Sequence, residues 1–279
     1  MKKNPFKRIL CIVIAAVMLC SVFASTAAAA TKCACGHSPV VMISGFGATI
    51  LSEKQEDGSL KRVFPPDTKE ILKLLGVNAP DLITGIIELL AQKGTDGIEK
   101  PLRDIITSIV EPLRMNDDGT SYYDIVPILS GAKNTSLEAF TKNDQLDLVP
   151  YTGSEFLDME VIGDEIGDDH VFNFLYDWRL SHADVAAQLH DYLAEVCALT
   201  GHDKVSVYSI SQGCLLLGVY MYEYPNDNYI DRAVFDTPLL AGSNLVSDLY
   251  TDKPISLNFD TTLDILRSIL PVSYTHLRA

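Results

Sequence analysis

Lys204-Val205-Ser206-Val207-Tyr208-Ser209-Ile210-Ser211-Gln212-Gly213-Cys214-Leu215-Leu216-Leu217 is the stretch on which the reading of this chain turns. The residues from Val205 to Tyr208 suit a strand, those from Cys214 onward suit an apolar helix, and Ser209 to Gly213 join the two. The join is G-x-S-x-G with serine in place of the first glycine. A strand that becomes a helix within so few residues forces the central residue into a strained backbone conformation. Such a turn closes only when the positions two before and two after are small. Ser209 and Gly213 meet that demand. The turn carries the Ser211 hydroxyl over the end of the sheet and to the positive end of the following helix, where developing negative charge is stabilised. That arrangement suits a nucleophile attacking an acyl carbon. The plain alternative is that Ser211 only caps the helix beginning near Cys214.

On either side of this stretch strands and helices alternate. Val171 to Leu175 reads as strand, Ala183 to Leu199 as helix, Lys204 to Tyr208 as strand, Cys214 to Tyr222 as helix and Arg232 to Phe235 as strand. This alternation predicts an α/β fold with a parallel sheet and right-handed crossovers. Far upstream, Val40-Val41-Met42-Ile43 is a continuous apolar run between Pro39 and a glycine pair, the pattern of a central strand buried on both faces. Ser44-Gly45-Phe46-Gly47 follows it. Two glycines permit close backbone approach, so the amide of Phe46 can face the same cavity as the amide of Gln212, and the pair would form an oxyanion hole. A dinucleotide-binding turn begins the same way, but position 50 is Ile where that fingerprint has its third glycine.

Between these regions lies an insertion, at about residues 52–168, which is expected to form a helical cap over the strand ends. The polar stretch from Ser52 to Pro66 reads as loop. From Ile98 to Met115 the residues Ile98, Leu102, Ile105, Ile106, Ile109 and Leu113 repeat with helical spacing. Asp81 is a candidate cap for another helix, whose apolar positions Leu82, Ile83, Ile86, Ile87, Leu89 and Leu90 are too many for a narrow stripe. Burial on two sides is preferred there to a lipid-facing surface. Residues 116–168 read as irregular, with Asp164, Glu165, Asp168 and Asp169 as a solvated acidic turn whose spacing is not that of an EF-hand.

The chain has 279 residues, 47% of them apolar, enough for a sizeable single core, and shows no internal repeat. Twenty-two basic against 37 acidic side chains give a net charge of −15, which repels phosphate backbones, so no nucleic-acid partner is expected. Residues 1–30 read as a signal peptide: Lys2, Lys3, Lys7 and Arg8, an apolar run from Ile9 to Phe23, and an A-x-A pattern at Ala28 and Ala30. The run is shorter than the roughly 20 residues a membrane span needs. A secreted or extracytoplasmic protein is expected. Loss of the four basic residues takes the balance from −15 to −19. Cys33, Cys35, Cys197 and Cys214 remain, the last two as buried helix positions, and no pairing is assigned. Cys33-Ala34-Cys35, with Gly36 and His37 beside it, fits no standard zinc spacing. No metal and no cofactor are expected.

Leu175-Tyr176-Asp177-Trp178-Arg179-Leu180 holds the only tryptophan. Its acid and base suit either a buried ion pair or a ligand contact, with the former favoured. Taken in order, four stretches resemble the lecithin:cholesterol acyltransferase family: Pro39 to Gly47, Tyr176-Asp177-Trp178-Arg179-Leu180, Lys204 to Leu217, and Asp231 to Ser243 with Thr237-Pro238 and Gly242-Ser243. The resemblance spans residues 39–250 and is only architectural between 52 and 168. It implies an α/β-hydrolase-like, mostly parallel sheet with helices on both faces. It implies further that Ser211 is the acyl-accepting nucleophile, with the Phe46 and Gln212 amides holding the oxyanion. The implied protein is an exported serine lipid acyl hydrolase or O-acyltransferase of the phospholipase or lipase type. Its substrate is a lipid ester, met at a membrane or lipid surface through the cap. Two alternatives stand beside it: a noncatalytic lipid- or surface-binding protein on the same scaffold, and an esterase of small soluble esters. The chain departs from the family pattern in having Ser209-Ile210-Ser211 where Gly-His-Ser is usual, and Ser44 where proline precedes the oxyanion glycine.

A serine hydroxyl needs a histidine to take its proton and an acid to orient that histidine. In this fold both follow the serine. The only histidine after Ser211 is His276, within Ser273-Tyr274-Thr275-His276-Leu277-Arg278-Ala279, which reads as a translated sequencing-adapter tail. Residues 31–271 are therefore expected to be a partial hydrolase domain, 272–279 a non-native tail, and the last strands, the acid and the histidine to lie beyond the chain. Asp236 is the best remaining acid by position, and His182, His190 and His202 read as surface side chains. The sequence specifies no oligomeric state.

Overall fold

The computed structural model describes residues 32–91, 96–149 and 155–242. The expected signal peptide, the tail and His276 lie outside them. In chain order the described elements are β1 (Val40–Ile43), β2 (Leu51–Lys54), β3 (Leu60–Phe64), α1 (Thr68–Leu90), α2 (Asp96–Val110), β4 (Ile125–Pro127), α3 (Leu137–Lys142), α4 (Glu155–Ile166), β5 (Val171–Phe174), α5 (His182–Thr200), β6 (Val205–Ile210), α6 (Gln212–Glu223) and β7 (Ile230–Asp236).

The fold is mixed α/β. Its main sheet has four parallel strands in the order β5-β1-β6-β7. Val41 pairs with Phe172 and Val207, and Ile43 with Phe174 and Ser209, so β1 is central. The unbroken apolar run of β1 follows from this position, because both of its faces are covered. Val41, Ile43, Phe174 and Val207 face α5 and α6 in one core, while Met42 and Val171 join Phe140 and Met159 of α3 and α4 in the other. Helices thus pack on both faces of the sheet. Ser181 caps α5 by accepting from the Ala183 amide, and Gly201, at φ +69°, ends it in the left-handed conformation that glycine adopts without strain. β7 forms one edge of the described sheet, with Asp231 to Val234 exposed.

The insertion departs from its sequence reading in four places. Residues expected to be loop from Ser52 to Pro66 form the hairpin β2–β3, and β4 pairs with β2 on its other side. Its turn is set by Gly58 at φ +83° and by the Asp57 carboxylate accepting from the Ser59 amide at 2.9 Å. Asp81 caps nothing, because α1 runs through it from Thr68; Asp67 supplies the N-terminal carboxylate, accepting from the Glu70 amide at 2.7 Å. α2 stops at Val110, before Pro112, and a 3₁₀ turn follows, so the helix does not reach Met115. Finally, residues 116–168 are not irregular throughout. They contain β4, α3 and α4, and Asp164 and Glu165 lie on α4.

α1 and α2 pack closely where Gly85 meets Gly97: a β-carbon at Gly85 would fall 2.5 Å from the Gly97 backbone. The two-sided burial expected for the apolar run after Asp81 is not found. Ile83, Ile86 and Ile87 of that run are exposed, as are Leu72 and Val77 earlier on the same helix, Val77 by 74%. Among the described residues no helix is long and apolar enough to cross a membrane.

Candidate active site

β6 delivers the chain to the carboxyl end of the sheet, and α6 begins at the next residue but one. Between them Ser211 has φ +53° and ψ −115°, a region that costs a non-glycine residue roughly 1–3 kcal/mol. The neighbourhood holds it there. The Ser211 amide donates to the Asp236 carbonyl at 3.0 Å, and the Ser211 carbonyl accepts from the Cys214 amide at 3.1 Å. Ser209 is buried and its hydroxyl donates to the Val234 carbonyl at 2.8 Å, so a serine in place of the motif's first glycine is both small enough and satisfied.

Gly213 is demanded by the neighbouring strand. A β-carbon there would lie 2.3 Å from the Ile43 carbonyl oxygen and 2.9 Å from that of Ser44. Both are backbone atoms and cannot swing aside, so Gly213→Ala must push α6 off the end of β1. We expect a loss of about 1–3 kcal/mol in urea unfolding. A variant as stable as the parent would contradict this packing.

The turn after β1 lies against Ser211. A β-carbon on Gly45 would stand 3.1 Å from Ser211 Cβ and 3.6 Å from Ser211 Oγ. Phe46, the next residue, is 68% exposed and sets its ring edge-on to Trp178 with centroids 4.5 Å apart. Gln212 is the first residue of α6, so its amide is among those with no partner inside the helix. Its side chain donates to the Trp178 carbonyl at 3.0 Å. The sheet order therefore brings together the three residues singled out in the sequence, at the carboxyl ends of the adjacent strands β1 and β6. That is where ligands bind in open parallel sheets.

The Tyr176–Leu180 segment braces this end. The Tyr176 hydroxyl donates to the Ser44 carbonyl at 2.8 Å, and Trp178 Nε1 donates to the Thr49 carbonyl at 3.3 Å. Asp177 and Arg179 form the buried ion pair favoured in the sequence: Arg179 Nε donates to Oδ1 at 2.9 Å and Nη2 to Oδ2 at 2.6 Å.

Ser211 Oγ makes no capping bond. Asp236 adjoins it through the backbone, but its carboxylate accepts from the Tyr208 hydroxyl at 2.6 Å. Of the described histidines, His182 begins α5 and is half-buried, its Nε2 has no hydrogen-bond partner among the described residues, and burial lowers its pKa. His190, read as exposed, is stacked on Tyr224, hydrogen-bonded to Asp191 at 3.2 Å, and has Nε2 3.4 Å from an Asp227 carboxylate oxygen. His170 and His202 sit at the opposite, amino end of the sheet beside Cys33 and Cys35, while His37 is exposed. A surface cavity of about 660 Å³, lined by Lys32, Cys33, Lys133, Glu138 and His170 among others, opens at that amino end and not at Ser211.

The other two cysteines are buried, as the sequence implied. Burial, reinforced by Asp203 and Asp227, raises the Cys197 thiol to about 11, so it stays protonated. Sequence reasoning missed the hold of Tyr176 on Ser44 and of Gln212 on Trp178, because each joins segments distant in the chain. No family model matches the chain. No curated protein matches it in sequence.

Proposed function

We propose that this protein is an exported serine acyl hydrolase or O-acyltransferase for lipid esters, built on an α/β-hydrolase scaffold of the lecithin:cholesterol acyltransferase type. The observation that carries the reading is Ser211 at positive φ between a parallel strand and a helix, so close to Gly45 that a β-carbon there would stand 3.1 Å from Ser211 Cβ. In this reading Ser211 Oγ bonds to the ester carbonyl carbon as its proton passes to a base. The oxyanion is held by the Phe46 and Gln212 amides, and the alcohol leaves carrying a proton. Water or a second alcohol then cleaves the acyl-serine and restores the hydroxyl. The base and its acid are assigned outside the described residues.

The lipid character of the substrate rests on the α1–α2 pair acting as a cap. Its exposed Leu72, Val77, Ile83 and Ile87 suit contact with an aggregated substrate better than a soluble ester. A fluorophosphonate probe is expected to label the parent protein and leave Ser211→Ala unlabelled; equal labelling of the two defeats the proposal. The lack of a histidine bonded to Ser211 among the described residues favours one rival, a noncatalytic lipid-binding protein on the same scaffold. It is distinguished by vesicle binding without labelling of either form.

A further inference from the structure

From the opposite end of the sheet we infer a structural zinc site formed by Cys33, Cys35, His170 and His202. The inference is independent of the acyl chemistry. The four residues come from three places: the segment before β1, the turn before β5 and the turn between α5 and β6. Their ligand atoms all lie within 4.8 Å of one another. His170 Nε2 is 3.8 Å from both Cys33 Sγ and Cys35 Sγ, and His202 Nε2 is 3.4 Å from Cys35 Sγ.

The three sulfur–nitrogen separations are close to the edges of a tetrahedral site. With Zn–S about 2.3 Å and Zn–N about 2.0 Å, a tetrahedral angle puts sulfur and nitrogen about 3.5 Å apart. Direct hydrogen bonding accounts for the cluster poorly, because at 3.8 Å from both sulfurs the His170 nitrogen could serve the two only through a weak three-centre bond. A shared central ion can.

The outer nitrogens are also disposed as metal ligands require. Both imidazoles turn Nε2 inward, and each Nδ1 is held from outside, His170 by the Asp169 carboxylate at 2.8 Å and His202 by the Thr200 carbonyl at 3.1 Å. Such partners fix the tautomer and ring orientation of a ligating histidine. The donor set of two thiolates and two imidazoles in this geometry selects zinc among common divalent ions. Four protein ligands leave no open position, so the ion's role is structural. The Cys33 amide also donates to the Gly201 carbonyl at 3.0 Å, so the ion would lock the segment before β1 to the α5–β6 turn.

Elemental analysis of the protein purified without chelator is expected to give one zinc per chain. The cobalt(II)-substituted protein is expected to show the visible bands of a tetrahedral ion together with sulfur-to-cobalt charge transfer. His170→Ala and the double variant Cys33→Ser with Cys35→Ser should lose the metal. His37→Ala should keep it. Asp169→Ala should keep the fold and weaken zinc affinity about 10–100-fold. A Cys33–Cys35 disulfide with no zinc in parent protein purified under reducing conditions without chelator, an octahedral cobalt spectrum, or zinc content unchanged in the ligand variants would each overturn the site. The cobalt spectrum of the parent decides the matter even where a variant fails to fold.

Discussion

Ester turnover is expected to fall by about 10⁴- to 10⁶-fold in both Ser211→Ala and Ser211→Gly, the range seen when a nucleophilic serine is removed and only oxyanion and binding effects remain. The two variants should part company in stability. The parent side chain occupies φ +53° and makes no capping bond to α6, so its hydroxyl adds nothing to the helix while its β-carbon is strained. Alanine keeps that strain and should unfold within a few tenths of a kcal/mol of the parent. Glycine relieves it, at the cost of greater freedom in the unfolded chain, for a net gain of up to about 1 kcal/mol, or a midpoint higher by about 2–4 °C. An ordinary capping serine instead puts both variants below the parent, alanine by about 1 kcal/mol and glycine by a few tenths. Parallel rate and thermal measurements on the three proteins decide between the readings. Turnover reduced less than tenfold removes Ser211 from the chemistry, and a destabilised glycine variant removes the argument from strain.

The main sheet was legible because its signals are local. Val40 to Ile43 is apolar at every position because β1 is covered on both faces, and the strand-to-helix join at Ser211 falls where the period of the pattern changes within five residues. Gly213 could be read as a small-residue requirement, but its cause, the Ile43 and Ser44 carbonyls, belongs to a strand some 170 positions earlier. The insertion was harder. β2 and β3 are four and five residues long and largely polar, so alternation had too few positions to register, although Asp57-Gly58 was a turn signal in plain view. α1 continues through Pro80, where a proline rule places a break. Only half of the Cys–His cluster was visible in the sequence, as Cys33-Ala34-Cys35, whose spacing fits no standard zinc pattern; its partners lie 135 positions from Cys35 at His170 and 167 at His202. Zinc patterns are recognisable in sequence when both halves come as close pairs at standard spacings, and here folding brings the second half in.

Asp177→Ala is expected to destabilise the fold by about 3–5 kcal/mol, the most of any single change considered for stability. Both carboxylate oxygens accept from the Arg179 guanidinium, Oδ1 also accepts from the Arg179 amide at 3.0 Å, and Nη2 also donates to Ser121 Oγ at 2.9 Å. The two side chains are 4% and 5% exposed, so removing the acid strands a buried cation. A guanidinium cannot shed its charge, and Nη1 has no hydrogen-bond partner among the described residues even in the parent. The segment must then open to hydrate it. The same segment carries the Trp178 carbonyl that holds Gln212 and the Tyr176 hydroxyl that holds Ser44, so the damage should reach the end of the sheet where Ser211 lies. Replacing both partners by apolar residues, Asp177→Leu with Arg179→Met, should cost far less than Asp177→Ala, because no charge is left uncompensated. Urea unfolding of the single and double variants, with fluorophosphonate labelling rates measured beside it, separates the contributions. A loss below about 1 kcal/mol for Asp177→Ala would mean that the pair is hydrated in solution and that the sheet end is braced by Tyr176 and Trp178 alone.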